Sequence, residues 1–479
     1  MAAPSPGYSI IIRVDAPAGY RVTSQIAEAV GEAGAQVTAL DVAESLHDRV
    51  TVDVSANAAN RDQLDDIAAA IERIDGAKVR GISDRTFLIH LGGKLEVKPR
   101  VTLRNRDDLS RAYTPGVARV CSAIAEDKAL ARRFTVKRNT IAVVTDGTAV
   151  LGLGDIGPEA ALPVMEGKGA LFKQFADVDA WPVCLDTKDT EEIIAIVKAI
   201  APVYGGVNLE DISAPRCFEI EKRLRDELDI PVFHDDQHGT AIVVLAALNN
   251  ALRVTGKRID DIKVVISGVG AAGNAIVQLL LEAGVTSIRA AGRHGVISRT
   301  RTHEDEHRRW IAEHTNEEGF EGTLKEALAG ADVFIGVSAP HILDKADIAT
   351  MNDDAIVFAL ANPTPEIEPY EAAEHAAVVA TGRSDYPNQI NNVLAFPGLF
   401  RGLLDVGASR ITTEMLVAAA DAISGCVTDA ELNTSFIIPS IFHPDVTDRV
   451  AAAVAEVATR NGDAAASEDD PATPITAAV

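Results

Sequence analysis

The sequence predicts an α/β protein built on parallel sheets and preceded by a small α+β module. Three observations carry this. From residue 140 onward short apolar runs alternate with helical patterns: IAVVTDG, WPVCLDT and IPVFHDD are separated by EEIIAIVKAIAPVYGG and CFEIEKRLRDEL, and strands alternating with helices form parallel sheets. A glycine triplet follows one such run and opens a helix, in DIKVVISGVGAAG. The N-terminal stretch instead reads strand, helix, strand, strand, helix, strand.

Bulk properties narrow the classes. A chain of 479 residues suggests about three domains. An apolar fraction of 47% with only 4% aromatic residues points to helices packed on sheets through small and aliphatic side chains. The net charge of −25 sets the protein's own field against nucleic acid, so none is expected as partner. Anionic metabolites stay open, because a local cation or metal outweighs a distant average. Cys121, Cys184, Cys217 and Cys426 show no metal-ligand spacing and read as free thiols of a reducing compartment. MAAPSPGYSIIIRVD lacks the plan of a signal peptide, and no apolar run is long enough to span a bilayer, so a cytoplasmic location without a membrane partner is expected.

The elements follow in order. YSIIIRV is a strand, VTSQIAEAVGEAGA a helix, QVTALDVAES and HDRVTVDVSA two further strands, RDQLDDIAAAIERI a helix and AKVRGISDR a strand. This ferredoxin-like order over residues 1–85 resembles an ACT domain, a module that often binds an amino acid or pairs with a copy of itself. Gly92 and Gly93 mark a connector, with helix resuming near Asp107. Residues 86–237 form the second region, in which Asp146, Asp186, Asp235 and Asp236 end apolar runs and are expected at one sheet edge. Residues 238–460 form the third, opened by the apolar helix GTAIVVLAALNNALRVTG with Thr240 available as its cap. The tail, 461–479, lacks apolar periodicity and reads as disordered.

Gly268, Gly270 and Gly273 form G-x-G-x-x-G between strand and helix. The first permits the turn, the second admits a pyrophosphate and the third lets helix and strand pack closely, a Rossmann-type dinucleotide site. The acid that usually reads an NAD ribose at the end of the next strand is missing: Gly292, Arg293 and His294 stand there. Arg293 could meet the 2′-phosphate of NADP, and the choice between NAD and NADP stays open. Glu210-Asp211 and Asp235-Asp236 offer the hard oxygen ligands that Mg²⁺ or Mn²⁺ prefers. Tyr113 precedes a Thr-Pro-Gly helix break, and Lys168 stands between two glycines where a carboxylate and a cation could adjust its pKa. Taken singly, each is more often an ordinary surface or packing residue.

Taken together, DDLSRAYTPGVA, VVTDGTAVLGLGDIG, MEGKGALFKQFA, NLEDISAP, FHDDQHGTA, GVGAAG, ANPTPE and YPNQINNVLAFPG closely resemble the bacterial malic enzymes, in the same order from about residue 100 to 445. Fusion to an N-terminal ACT-like module resembles a variant of that family. The resemblance implies oxidation of L-malate at C2 by NAD or NADP with Mg²⁺ or Mn²⁺, followed by decarboxylation to pyruvate. It places the general acid on Tyr113, the general base on Lys168 with Asp235 beside it, and the metal carboxylates on Glu210, Asp211 and Asp236. Asn362 matches a substrate and nicotinamide contact, and Asn391 or Asn392 a substrate contact. A homodimer or higher homo-oligomer is implied as well, and the ACT-like module suggests an amino-acid or metabolite effector. The arginine that grips a malate carboxylate in larger relatives is replaced by Ala149, which leaves that work to Thr148, backbone and metal. The rival readings are an amino-acid dehydrogenase of related architecture, which would need no metal, and a dinucleotide-binding regulator without turnover.

Overall fold

A computed structural model describes residues 4–150, 152–303 and 305–465. The expected tail lies outside the described residues from 466 onward. The chain divides into two compact units, the first ending at Lys98 and the second starting at Pro99.

The first unit has the order expected for a strand-helix-strand-strand-helix-strand module. Its strands are β1 (Ser9–Pro17), β2 (Gln36–Ser45), β3 (Arg49–Asn57) and β4 (Lys78–Asp84), in sheet order β2-β3-β1-β4, with antiparallel neighbours throughout. Alternation in β1 buries Ile10, Ile12 and Val14, and β3 answers with Val52 and Val54. Helices Val22–Glu32 and Gln63–Glu72 close that face with Ile26, Val30, Ile67 and Ile71. On the opposite face Arg13 and Asp53 are cross-strand partners joined at 2.6 Å, a pairing that fixes register more than it adds stability. The expected connector begins differently: Asp84 caps a helix at Arg85–His90 by accepting from the Thr86 and Phe87 amides, a six-residue helix too short to show periodicity in the sequence.

The second unit holds two sheets. One is formed by β5 (Thr140–Thr145), β6 (Asp179–Cys184), β7 (Gly206–Leu209) and β8 (Val232–His234), parallel in the order β6-β5-β7-β8. The other is formed by β9 (Lys263–Ser267), β10 (Ser287–Gly292), β11 (Gly295–Val296), β12 (Val333–Gly336), β13 (Ala355–Ala359) and β14 (Ala376–Thr381). Its order is β11-β10-β9-β12-β13-β14, parallel apart from the short β11. The chain leaves β9 to one side for β10 and returns to the other for β12, so the switch point, where such sheets bind ligands, lies beyond the carboxyl end of β9.

Helix Thr240–Thr255 is buried at every position from Ala241 to Leu248. A helix apolar all round belongs to an interior, and its side chains share one core with residues of both sheets. Its buried polar residue, Asn250, donates to the Ser424 and Ile437 carbonyls at 2.9 Å. Thr240 does not cap this helix: Gly239 is the N-cap and no side chain caps it, because the Thr240 hydroxyl is turned to Asn392 at 3.3 Å. Among the described residues no helix is long and apolar enough to cross a membrane, and all four cysteines are free.

Candidate active site

The site is assembled from the carboxyl ends of β7 and β8 and one long helix. After β8 the chain makes a single wide, π-type turn, Asp235–Gly239, before the buried helix begins. Such turns re-aim side chains, and this one is bolted from behind. Glu221 accepts from Gln237 Nε2 at 2.9 Å and meets His238 Nε2 at 2.8 Å. Burial works against the ionised Glu221, yet His238 holds its carboxyl below the usual range. Gly239 is required for the turn to close, because a Cβ there would lie 2.0 Å from Asp235 Oδ1.

Lys168 projects from helix Pro158–Ala176, which starts on Pro158 and ends at the left-handed Asp177. Its ammonium is 2.7 Å from Asp235 Oδ2 and 3.0 Å from Glu210 Oε1, and it lies 4.2 Å from the centre of the buried Phe396 ring. Burial would lower the lysine pKa, but Asp235 and Glu210 outweigh it and hold the group above its ordinary value. Asn392 donates to Asp235 Oδ2 at 3.0 Å, so one carboxylate is held by both lysine and amide. Asn391 instead accepts from the Val393 amide and caps a short turn.

Glu210, Asp211 and Asp236 bring carboxylate oxygens within 4.8 Å of one another. Glu210 is steadied by Asn208, which donates at 2.8 Å; Asp211 sits in the left-handed region at φ 54°, and its amide donates to Asp236 Oδ2 at 3.0 Å. Among the described residues Lys168 is the ammonium paired with this group of four acids, through Glu210 and Asp235. Burial, then repulsion from the other three acids, pushes Glu210 well above the carboxylate range despite Lys168. Burial and Asp236 push Asp211 up to about 7. An excess of nearly buried oxygen ligands is what a divalent cation would offset, so these residues fit one.

The other expected acids, Asp146 and Asp186, do not belong to this group. Asp146 is buried and accepts from Thr148 Oγ1 at 2.6 Å and Thr148 N at 3.1 Å, with Arg216 Nη2 at 2.8 Å from its second oxygen, while Asp186 is exposed. The Thr148 hydroxyl also accepts from Ser213 N and Arg216 Nη2, each at 3.0 Å. One donor and two lone pairs are then spent, so Thr148 has nothing left for a substrate carboxylate. Arg216 escaped the sequence reading, although it directly follows NLEDISAP.

Tyr113 is not brought to this cluster by contacts within one chain. It ends helix Arg106–Ala112, is 68% exposed, and its phenol makes no hydrogen bond among the described residues. Asn362 is also exposed, beyond β13, with its amide against Gly382, where a Cβ would meet it at 2.8 Å.

The glycine turn occupies the switch point. Gly268 has φ 107°, and a Cβ there would meet the Val337 carbonyl at 2.6 Å; a Cβ on Gly273 would lie 1.9 Å from the Gly268 carbonyl. Gly270 faces open space, the room a pyrophosphate needs above the helix N-terminus.

A nucleotide-binding sheet beside a buried lysine and carboxylates defines an α/β oxidoreductase. Comparison with known proteins gives the family. Residues 92–225 match the profile of the malic enzyme N-terminal domain and residues 237–459 that of the malic enzyme NAD binding domain. The chain is 59% identical to an NAD-dependent malic enzyme of Geobacillus stearothermophilus over 92% of each chain. It is 54% identical to a bifunctional malic/malolactic enzyme of Bacillus subtilis over 77% of this chain and 91% of that one. The crystal structure of malic enzyme from Pyrococcus horikoshii superposes with a TM-score of 0.76 at 51% identity, over 78% of this chain and 88% of the other. The protein belongs to the malic enzyme family.

Proposed function

We propose that the protein oxidises L-malate at C2 with NAD(P) and decarboxylates the product to pyruvate and CO2, using Mg²⁺ or Mn²⁺ held by Glu210, Asp211 and Asp236. The observation that supports this most is the placing of Lys168 Nζ 3.0 Å from Glu210, an acid that also belongs to the three-carboxylate group. When bound, the cation supplies positive charge for the C2 oxygen and the later enolate, and the nicotinamide accepts the hydride.

Lys168 takes the C2 hydroxyl proton. It can do so only when neutral, and two anions hold it protonated at rest. Glu210 faces both the lysine and the other acids, so spending its charge on a cation removes one of those anions and lowers the lysine pKa. Asp235, gripped by Asn392, keeps the lysine aimed. Tyr113 protonates C3 of the enol. In one chain its phenol is exposed, with Leu103, Leu109 and Val120 exposing apolar surface nearby in sequence; a homo-oligomer that covers this region belongs to the same proposal. So does an effector site on the first unit, supported by its ACT-like strand order. The domain limits proposed are 1–85, 86–237 and 238–460.

A malate assay with NAD and NADP, each with Mn²⁺, Mg²⁺ or no metal, tests the reading. Pyruvate and NAD(P)H formed together only with metal are expected. Full turnover after chelation would end the metal-dependent malic enzyme reading, and dinucleotide binding without turnover would favour a regulator.

A further inference from the structure

Loops leave the carboxyl ends of β5, β6 and β7, and one side chain joins all of them. Arg216 Nη1 donates to the Lys188 carbonyl, after β6, at 2.8 Å. Its Nη2 donates to Thr148 Oγ1, after β5, at 3.0 Å and to Ser213 Oγ, after β7, at 3.2 Å, and pairs with the buried Asp146 at 2.8 Å. Both terminal nitrogens of the guanidinium are engaged within the protein, and Asp146 answers its charge. A fork so committed holds loops rather than gripping a substrate.

The loops it joins carry the acid group. Asp211 has φ 54°, a left-handed conformation that a residue other than glycine keeps where neighbouring structure over-determines it. That structure is the loop after β5: Ala149 N donates to the Asp211 carbonyl at 2.9 Å, and Ser213 N donates to the Thr148 hydroxyl at 3.0 Å. The hydroxyl is itself turned by Asp146, to which it donates at 2.6 Å. The same loop seats the helix that carries Lys168, since the Gly147 carbonyl accepts at 3.2 Å from the amide of Gly157, that helix's N-cap. A Cβ on Gly147 would lie 2.3 Å from the Gly157 carbonyl.

We infer that Arg216, acting through Thr148, is a positioning residue that holds Asp211 in its left-handed turn and so sets the carboxylate spacing offered to the cation. The inference rests on the metal-dependent reading for its binding arm only.

Calorimetry of Mn²⁺ binding to the chelator-treated full chain tests it. Thr148→Val keeps the side chain's shape without its hydroxyl and should weaken Mn²⁺ by about 10- to 100-fold, as loss of an outer-shell partner does. Thr148→Ser, which keeps the hydroxyl, should stay within about threefold of the wild type. Arg216→Lys retains a cation for Asp146 but cannot span the loops, and should lose affinity as Thr148→Val does. If that variant does not fold, Arg216→Met combined with Asp146→Asn removes both charges together and should show the same loss.

NAD or NADP affinity in the same samples should hold within about threefold, because the glycine turn lies on the other sheet. Equal losses of cation and dinucleotide would mean general loosening and overturn the inference, as would Mn²⁺ affinity in Thr148→Val within about threefold of the wild type. A wild type that takes up no Mn²⁺ would sink the metal reading instead. Crystal structures of the metal-free wild type and Thr148→Val would then decide this one: Asp211 should keep its left-handed φ in the first and leave it in the second. The same φ in both would overturn the inference.

Discussion

Lys168 Nζ and Asp235 Oδ2 stand 2.7 Å apart with both side chains nearly buried. They come from a helix and from a turn 67 positions later, and their contact ties the two substructures of the cleft. A buried pair of this kind is costly to break on one side only, so each partner's loss reads out differently.

Lys168→Ala leaves Glu210 and Asp235 without their cation and should lower Tm; the folded variant, assayed with Mn²⁺ present, should lose about 10²- to 10⁴-fold in kcat, the range for a general base. Steady-state malate oxidation checks this. A variant within threefold of wild type would remove Lys168 from the chemistry.

Gly239→Ala tests the turn. The new methyl would overlap Asp235 Oδ1, so the carboxylate must move away from Lys168 and Asn392. Displacement of about 1 Å in a catalytic group can cost about 10²-fold. We expect a fall of that order in kcat with the metal still bound, and an unchanged rate would show that the carboxylate position is not critical.

Asp211 predicts a pH dependence. Without metal, burial and Asp236 push its carboxyl up to about 7, from an ordinary value near 4. A raised acid favours the protonated fold, so the associated stability is fully present below about pH 4 and is lost as pH rises through about 7. A divalent cation needs the ionised form and displaces that proton. The rise in Tm caused by saturating Mn²⁺ should therefore be larger at about pH 8 than at about pH 5.5, and Asp211→Asn should flatten the difference. Equal shifts in the wild type at both values would contradict this.

Glu366 predicts a stability effect away from the chemistry. It is fully buried and accepts from the Ser338 and Ala361 amides at 2.8 and 3.0 Å, joining the loops after β12 and β13. Gly336 leaves it room, since a Cβ there would meet its carboxyl carbon at 2.4 Å. Glu366→Ala strands two buried donors at about 1–3 kcal/mol each, measurable by urea unfolding. A change under about 0.5 kcal/mol would be that of an ordinary surface site.

The β/α alternation, the glycine turn and the acid pairs were legible in the sequence because each is a local pattern, read within a single strand and its flanking turn. What joins those patterns was not. Asn392 reaches Asp235 across 157 positions, and Arg216 saturates Thr148 across 68; no window of sequence contains both partners. The capping expected of Thr240 failed for the same reason, since a distant amide took its hydroxyl. Tyr113 was placed correctly at a helix break, but a phenol left exposed in one chain shows that local pattern does not state what faces it.

The most direct test of the central claim is the stoichiometry of Mn²⁺ binding by calorimetry to the chelator-treated chain, wild type and Asp236→Asn. One tight site per chain in the wild type, lost or weakened by about 10- to 100-fold in the variant, is predicted. A wild type with no tight site, or a variant that binds Mn²⁺ as the wild type does, would contradict a metal centre built on Glu210, Asp211 and Asp236.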